Sequence, residues 1–493
     1  MDSKSALAND LQNLDSIGEV NAEEDSVLQY FVKTEATSKV ATNRVYLVLG
    51  RKGAGKTALV RHFTKDDNDP LQRALNLRSY AWNIHKAVAD NRGTEIEAFV
   101  ASWRYVIATQ AASALLEKYN RDVSDAARTL RDFFSQNYGD TRVDLAKIFA
   151  VKRLIFSKAT IEPRVAGFGA GSISFEKQEQ QFGFVIDAVT DTIIEHCKTI
   201  ISRNGTPLVA LHFDELDTGI EKLERDRQLM IAGLVLAAQS IRRSLGVREA
   251  KIRAFIYLRE DIWQAFSFSD RNKITHGAAQ LLLWTRETLR ELVDIRIRSI
   301  SGGNFDFDDL VDDQNMPGKQ SKWDYIVNRT HDRPRDVIAF INQILEARRD
   351  KAAKITNADM VAARPRYSSY FKGEVEDEIR AHWPEWEEAL QAIGDIGYLT
   401  FEREDFIERY NKRVSKGNTV KDGARALEMF FNYSIIAYLR PRPRGGTDWI
   451  WKYKQPDQNF DANAERFKVH TGLQDYANLR SERRRRRGST TGR

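Results

Sequence analysis

Residues 50–57 read GRKGAGKT, preceded by the apolar run VYLVL and followed by ALVRHF. The octet satisfies G-x-x-x-x-G-K-[ST] in the setting that gives the pattern meaning, with a buried strand before it and an amphipathic helix after it. Glycines let the backbone wrap with its N–H groups facing inward, and the helix N-terminus behind them adds partial positive charge. The spacing therefore predicts a cradle for phosphate oxygens. Its expected nucleotide-binding residues are Gly50, Arg51, Lys52, Gly53, Ala54, Gly55, Lys56, Thr57 and Ala58. Lys56 is expected to reach the β- and γ-phosphates and Thr57 to place its hydroxyl on Mg²⁺.

A second stretch completes the chemistry. TPLVALHFDELD is an apolar strand that ends in Asp214 and Glu215. A carboxylate at such a strand tip beside the loop is where a second metal contact is expected. Asp214 would hold Mg²⁺ through water, and Glu215 would orient and deprotonate an attacking water. A pure binder has no use for Glu215, so hydrolysis of ATP is the expected activity. Asp217 reads equally as the partner of a neighbouring subunit's cation or as a helix N-cap.

Strand candidates at ALNLRSY, PLVALHF, KIRAFIYL and AAQLLLW alternate with helical patterns, which implies a parallel, doubly wound sheet. The long interval between the two motifs holds helical periodicity over about 94–160 and 178–203, with RVAGFGAGSISFE between as a hairpin or exposed loop. Residues of about 85–205 therefore read as an insertion on the core.

After about residue 305 the strands stop. NRTHDRPRDVIAFINQILEARR opens a helical region; EEALQAIGDI, FEREDFIERYNKR and ARALEMFFNYSII follow, then two β-rich runs around a Pro/Gly turn. Three helices and a terminal hairpin outline a winged helix. The expected organisation is an N-terminal helical or flexible segment (1–40), an ATPase core (41–300), a helical lid (301–375), a winged helix (376–455) and a basic, partly disordered tail (456–493). Trp284 is expected to serve as core packing.

Composition sets outer limits. A chain of 493 residues with 42% apolar and 30% charged residues suits two to four globular domains. No apolar run approaches the roughly 18–20 residues of a membrane span, and the N-terminus does not read as a secretory signal. One cysteine, Cys197, fits a reducing compartment, so a cytoplasmic location is expected. The net charge of +6 is interspersed except at Arg483–Arg487. That run reads either as a solvated tail or as an arm for nucleic acid or an acidic partner.

GRKGAGKT, LHFDELD, FIYLRED and HDRPRD together resemble the AAA+/STAND group of P-loop ATPases, closest to the origin-initiator-like branch and its bacterial relatives. The resemblance spans roughly residues 40–455 but rests on about two dozen of them. It implies an α/β fold: a P-loop NTPase core with a parallel doubly wound sheet, a helical insertion, a helical lid and a C-terminal winged helix. Arg259 in IYLRED matches the polar sensor of the γ-phosphate, and Arg335 in RPRD matches the second sensor on the lid; a strand-end surface arginine and a plain helix start are the simpler readings. Arg271, Lys273 and Arg286 are candidates for a trans-acting arginine finger, with no pattern selecting one.

The resemblance further implies a homo-oligomer acting as an ATP-dependent switch on a separately encoded effector or sensor protein, in bacterial antiphage defence by fold-level association. The alternative is a DNA-binding initiator or loader, gripping nucleic acid through Arg440, Arg442 and Arg444 of the hairpin and the Arg483–Arg487 tail. No membrane partner is expected.

Overall fold

A computed structural model describes residues 12, 14–65, 69–78, 80, 82–83, 85, 95–149, 153–156, 171–174, 182–218, 224–246, 250–303, 305–442 and 445–481. The chain divides into two compact units. One comprises residues 33–51 and 55–283; the other comprises 1–32, 52–54 and 284–493.

Among the described residues, the first unit holds seven strands: β1 (Leu47–Gly50), β2 (Gln72–Asn76), β3 (Arg153–Phe156), β4 (Gly171–Ser174), β5 (Val209–Asp214), β6 (Ile252–Arg259) and β7 (Ala279–Leu281). Five form a sheet in the order β2-β5-β6-β1-β7, and every pairing is parallel. β1, β5 and β6 are buried at every residue, as parallel strands covered on both faces must be. The register sets Gly50 beside Arg259 and Asn76 beside Asp214, so the carboxyl ends of neighbouring strands gather in one place. In open parallel sheets ligands bind beyond such ends.

Helices Glu95–Lys118, Phe182–Asn204 and Arg225–Ser244 pack in this unit. Trp103, Tyr105, Val106, Ile107 and Ala108 are all buried, so the first of these helices is covered all round. A Cβ at Gly233 would lie 2.6 Å from Phe99 Cβ, and the absent side chain permits this close crossing. β3 and β4 pair antiparallel; the rest of the glycine-rich stretch read as a hairpin or loop lies outside the described residues. ALNLRSY is strand only at its start, because β2 begins at Gln72 and stops at Asn76.

The second unit carries helices Arg286–Ile300, Lys322–Val327, Pro334–Ala347 and Asn357–Ile379, then Glu387–Ile396, Arg403–Arg413 and Gly423–Asn432. The Thr285 side chain caps the first with a reciprocal bond to Thr288, and Pro334 occupies the first turn of its helix, where its missing N–H is harmless. β8 (Thr400–Glu402), β9 (Ile436–Pro441), β10 (Thr447–Ile450) and β11 (Arg466–Val469) form an antiparallel sheet in the order β10-β9-β11-β8. Phe401, Phe406, Phe430, Phe467 and Trp383 fill the core.

Four boundaries expected from sequence fall elsewhere. Residues 14–32, read as part of a helical or flexible segment, are tied into the second unit. Arg296 pairs with Asp25 at 2.6 Å where both are buried, Arg348 donates to Leu14 O at 2.6 Å, and Asn342 bonds both Ile17 N and Gly18 O. Helix Arg286–Ile300 groups with the second unit rather than with the sheet. Residue 376 lies inside the helix Asn357–Ile379, which runs through the expected junction. β11 lies in the stretch read as a tail, and Phe467 sits between Phe401 and Tyr438. A local pattern does not say which unit an apolar face packs on, and the helices Arg286–Ile300 and Asn357–Ile379 and the buried Leu14, Ile17 and Val32 all join the core of the second unit. Among the described residues, no helix is long and apolar enough to cross a membrane.

Candidate functional site

The loop between β1 and the helix Lys56–Phe63 adopts the glycine-dependent shape that its sequence anticipates. Gly53 has φ +74° and Gly55 has φ +97°, the latter as N-cap of the helix. Both lie in the left-handed region, where a Cβ is penalised. Lys56 is buried, and its Nζ donates to Gly50 O at 3.1 Å and Arg51 O at 3.2 Å. Burial lowers its pKa, opposed by Asp217 and Asp214. Ala54 is buried, and Ala58 sits in the first helical turn.

Asp214, at the tip of β5, is buried, and burial pushes its pKa up to about 6 although the Thr57 hydroxyl hydrogen-bonds its carboxylate. Glu215 follows with φ +59°, a conformation rare outside glycine and held here at a cost of about 1–2 kcal/mol. Its carboxylate is bound by Arg78, Nε to Oε2 at 2.6 Å and Nη2 to Oε1 at 3.4 Å. Leu77 N donates to Asp214 O at 3.0 Å, and this bond extends the β2–β5 ladder just far enough to deliver Arg78. Arg227 donates to Leu216 O at 3.3 Å and stacks 3.3 Å over the Trp82 ring.

Arg259 ends β6 and forks onto Asp261, Nε to Oδ1 at 3.0 Å and Nη2 to Oδ2 at 2.7 Å; its Nη1 lies 3.7 Å from Asp217. Asp217 thus faces a cation of its own chain and caps no described helix. These groups, with Lys56, converge within the first unit.

Arg335 belongs to the second unit, as does the loop tip Lys52–Ala54. Its stem lies along Gly53, where a Cβ would meet Arg335 Cβ at 2.8 Å, and its Nη1 is 3.5 Å from Glu374 Oε2. Lys52 Nζ binds Asp377 and lies 3.7 Å from Glu374. Arg333, two residues earlier and fully buried, donates to Lys52 O at 2.8 Å, to Asp336 at 2.9 Å and to Glu378. Burial would lower its pKa, but the two carboxylates raise it well above the ordinary value. Trp284 is more than packing, since its Nε1 donates to Ala54 O at 2.8 Å.

Of the finger candidates, Arg271 donates to Gln264 O at 2.6 Å, Arg286 binds Asp324 and Asn328, and Lys273 is exposed. On the β9–β10 hairpin Arg442 binds Asp448, and Arg440 donates to Gln458 at 2.9 Å. Arg444 and Arg483–Arg487 lie outside the described residues.

Sequence reasoning missed Arg78, Arg227 and Arg333, and of Trp284 it anticipated the packing but not the bond to Ala54 O. Arg78 had one faint signal, a charged residue just past a strand. Only the adjacency of β2 and β5 gives that position meaning.

The parallel sheet, the glycine loop and the strand-end carboxylates are compatible with a P-loop-like core. A family model described as the FunZ-associated C-terminal helical domain matches residues 287–375, so this segment is similar to that domain. No curated protein matches the chain.

Proposed function

We propose that this chain is an ATP-binding and hydrolysing switch of the AAA+/STAND type, which assembles into a homo-oligomer and controls a separate protein effector. The observation that carries the reading is the meeting of three groups: a buried loop lysine, Lys56, and the hydrogen-bonded pair Thr57 and Asp214. A buried carboxylate whose pKa has risen to about 6 is a costly group without a cation, and the donors beside it are oxygens, as Mg²⁺ prefers. Thr57 and Asp214 would hold Mg²⁺, which when bound supplies positive charge to the β- and γ-phosphate oxygens.

The remaining roles belong to the protein. Lys56 would exchange the carbonyls of Gly50 and Arg51 for phosphate oxygens, an exchange in which a desolvated ammonium recovers a full counter-charge. Glu215 would take a proton from the attacking water once Arg78 releases its carboxylate. Arg259, at the adjacent strand end, would respond to the γ-phosphate through its hold on Asp261 and Asp217. Arg335, whose stem lies along Gly53, would report the same event to the helices read as a lid, the segment that the FunZ-associated domain matches. Helices Glu387–Ile396, Arg403–Arg413 and Gly423–Asn432 with the β9–β10 hairpin are read as a winged helix. The resemblance of the motifs supports a role in bacterial antiphage defence, and the single cysteine, Cys197, supports a cytoplasmic location.

Mass photometry tests the reading, with MgATP, with MgADP and without nucleotide, on wild type and Glu215→Gln, each with and without a DNA duplex. The expected result is an ATP-dependent oligomer trapped by Glu215→Gln and indifferent to DNA. Assembly only on duplex would replace the switch with the initiator or loader reading. A single species throughout would end both.

A further inference from the structure

The tip of the glycine loop is gripped from its carbonyl side. Arg333 Nη1 donates to Lys52 O and Trp284 Nε1 to Ala54 O, each at 2.8 Å, with Arg335 N a longer 3.5 Å from Gly53 O between them. No described peptide bond is cis, and in a trans peptide the C=O and the following N–H point in opposite directions. A donor that holds the Lys52 carbonyl therefore turns the Gly53 N–H away from itself. A donor on the Ala54 carbonyl does the same for the N–H of Gly55. Among the described residues, neither of these N–H groups has a hydrogen-bond acceptor. They are oriented, uncommitted donors on consecutive turns of one loop.

Both gripping side chains have support of their own, Trp284 being partly buried. Arg333 is fully buried and fixed by Asp336 and Glu378, and Trp284 packs against the core of its unit. We propose that Trp284 and Arg333 are positioning residues of the phosphate cradle, which pre-aim the Gly53 and Gly55 amides without touching the ligand. The inference rests on the nucleotide reading above. Its physical basis is preorganisation: donors already turned toward an anion cost nothing further to orient when it arrives.

Trp284→Phe is the discriminating variant, because it keeps the ring and deletes only the N–H. Isothermal titration with MgATP, beside the melting midpoint of the nucleotide-free protein, reads both sides of the question. The expected result is a Kd raised about tenfold with an unchanged nucleotide-free midpoint, the effect of one lost positioned donor. Arg333→Lys, which keeps a charge for the two carboxylates but loses the fork, is expected to weaken MgATP to a similar extent. Affinities within about twofold of wild type for both variants would overturn the proposal. So would a loss of affinity matched by an equal loss of nucleotide-free stability, which would assign Trp284 to packing. Wild type that binds no MgATP would instead overturn the nucleotide reading itself, and Lys56→Ala serves as the reference for lost binding.

Discussion

Arg78 holds Glu215: its Nε donates to Oε2 at 2.6 Å across a separation of 137 residues. The arginine side chain is largely exposed at 59%, whereas the glutamate side chain is 8% exposed. The carboxylate is therefore the fixed member and the guanidinium the member free to leave. With both carboxylate oxygens engaged by Arg78, Glu215 cannot meet an attacking water until the guanidinium moves, so on the proposed ATPase reading the pair is a restraint on Glu215. Arg78→Ala is expected to raise basal phosphate release roughly threefold to tenfold, a modest part of what a positioned base contributes. Phosphate release measured under MgATP saturation checks this. Turnover falling to the level of Glu215→Gln would show that Arg78 supports the base rather than restrains it.

Lys56 sits buried with its ammonium on two carbonyls, and burial lowers its pKa. Lys56→Ala is expected to abolish the MgATP-dependent rise in melting temperature while leaving the nucleotide-free midpoint at or slightly above wild type, because a desolvated charge has been removed. A retained MgATP-dependent rise would show that nucleotide does not meet this lysine.

Arg333, Asp336 and Glu378 form a buried ionic cluster with exposures of 2%, 0% and 4%. Removing the cation alone strands two carboxylates, so Arg333→Met is expected to destabilise its unit by about 3–5 kcal/mol. The triple variant with Asp336→Asn and Glu378→Gln is expected to recover most of that loss. Urea denaturation of the two variants makes the comparison, and equal losses in both would mean that shape rather than charge sets the cost.

His85 is buried between Trp103 and Phe149, bonded to Tyr80 and Ser102, and burial lowers its pKa to about 3 from 6.5. The unfolded chain takes up this proton below pH 6.5 and the folded chain does not until about pH 3, so stability is full above 6.5 and is lost as pH falls toward 3. Asp214 and Asp332, both raised to about 6 by burial, act in the opposite direction between 6 and 3.8. A bare wild-type profile would mix these effects. His85→Gln is expected to lessen the loss between about pH 7 and 5 by about 2 kcal/mol relative to wild type. Parallel denaturation profiles for the two proteins would remove His85 from this account.

The parts legible in sequence share one property: their geometry is set by contiguous backbone. The loop at 50–57 takes its shape from its own glycines, and the run VALHFD declares both a buried strand and its acidic tip. The alternation of apolar strands with helical periods foretold a parallel sheet of the kind observed. The N-terminal segment and β11 escaped notice because Leu14, Ile17 and Val32 are too widely spaced to mark one element, and β11 is too short for its alternation of buried Phe467 and Val469 to stand out.

By itself, then, the sequence determined the glycine loop, the lysine and threonine that close it, and the carboxylates that end β5, since each follows from neighbours along the chain. Tertiary structure alone decided who restrains them. Arg78 reaches Glu215 only because β2 is laid beside β5. Trp284 and Arg333 reach the carbonyls of Ala54 and Lys52 across separations of 230 and 281 residues. Such contacts depend on strand order and helix packing, which are settled by the burial of whole apolar faces and not by any local pattern around the residues that meet.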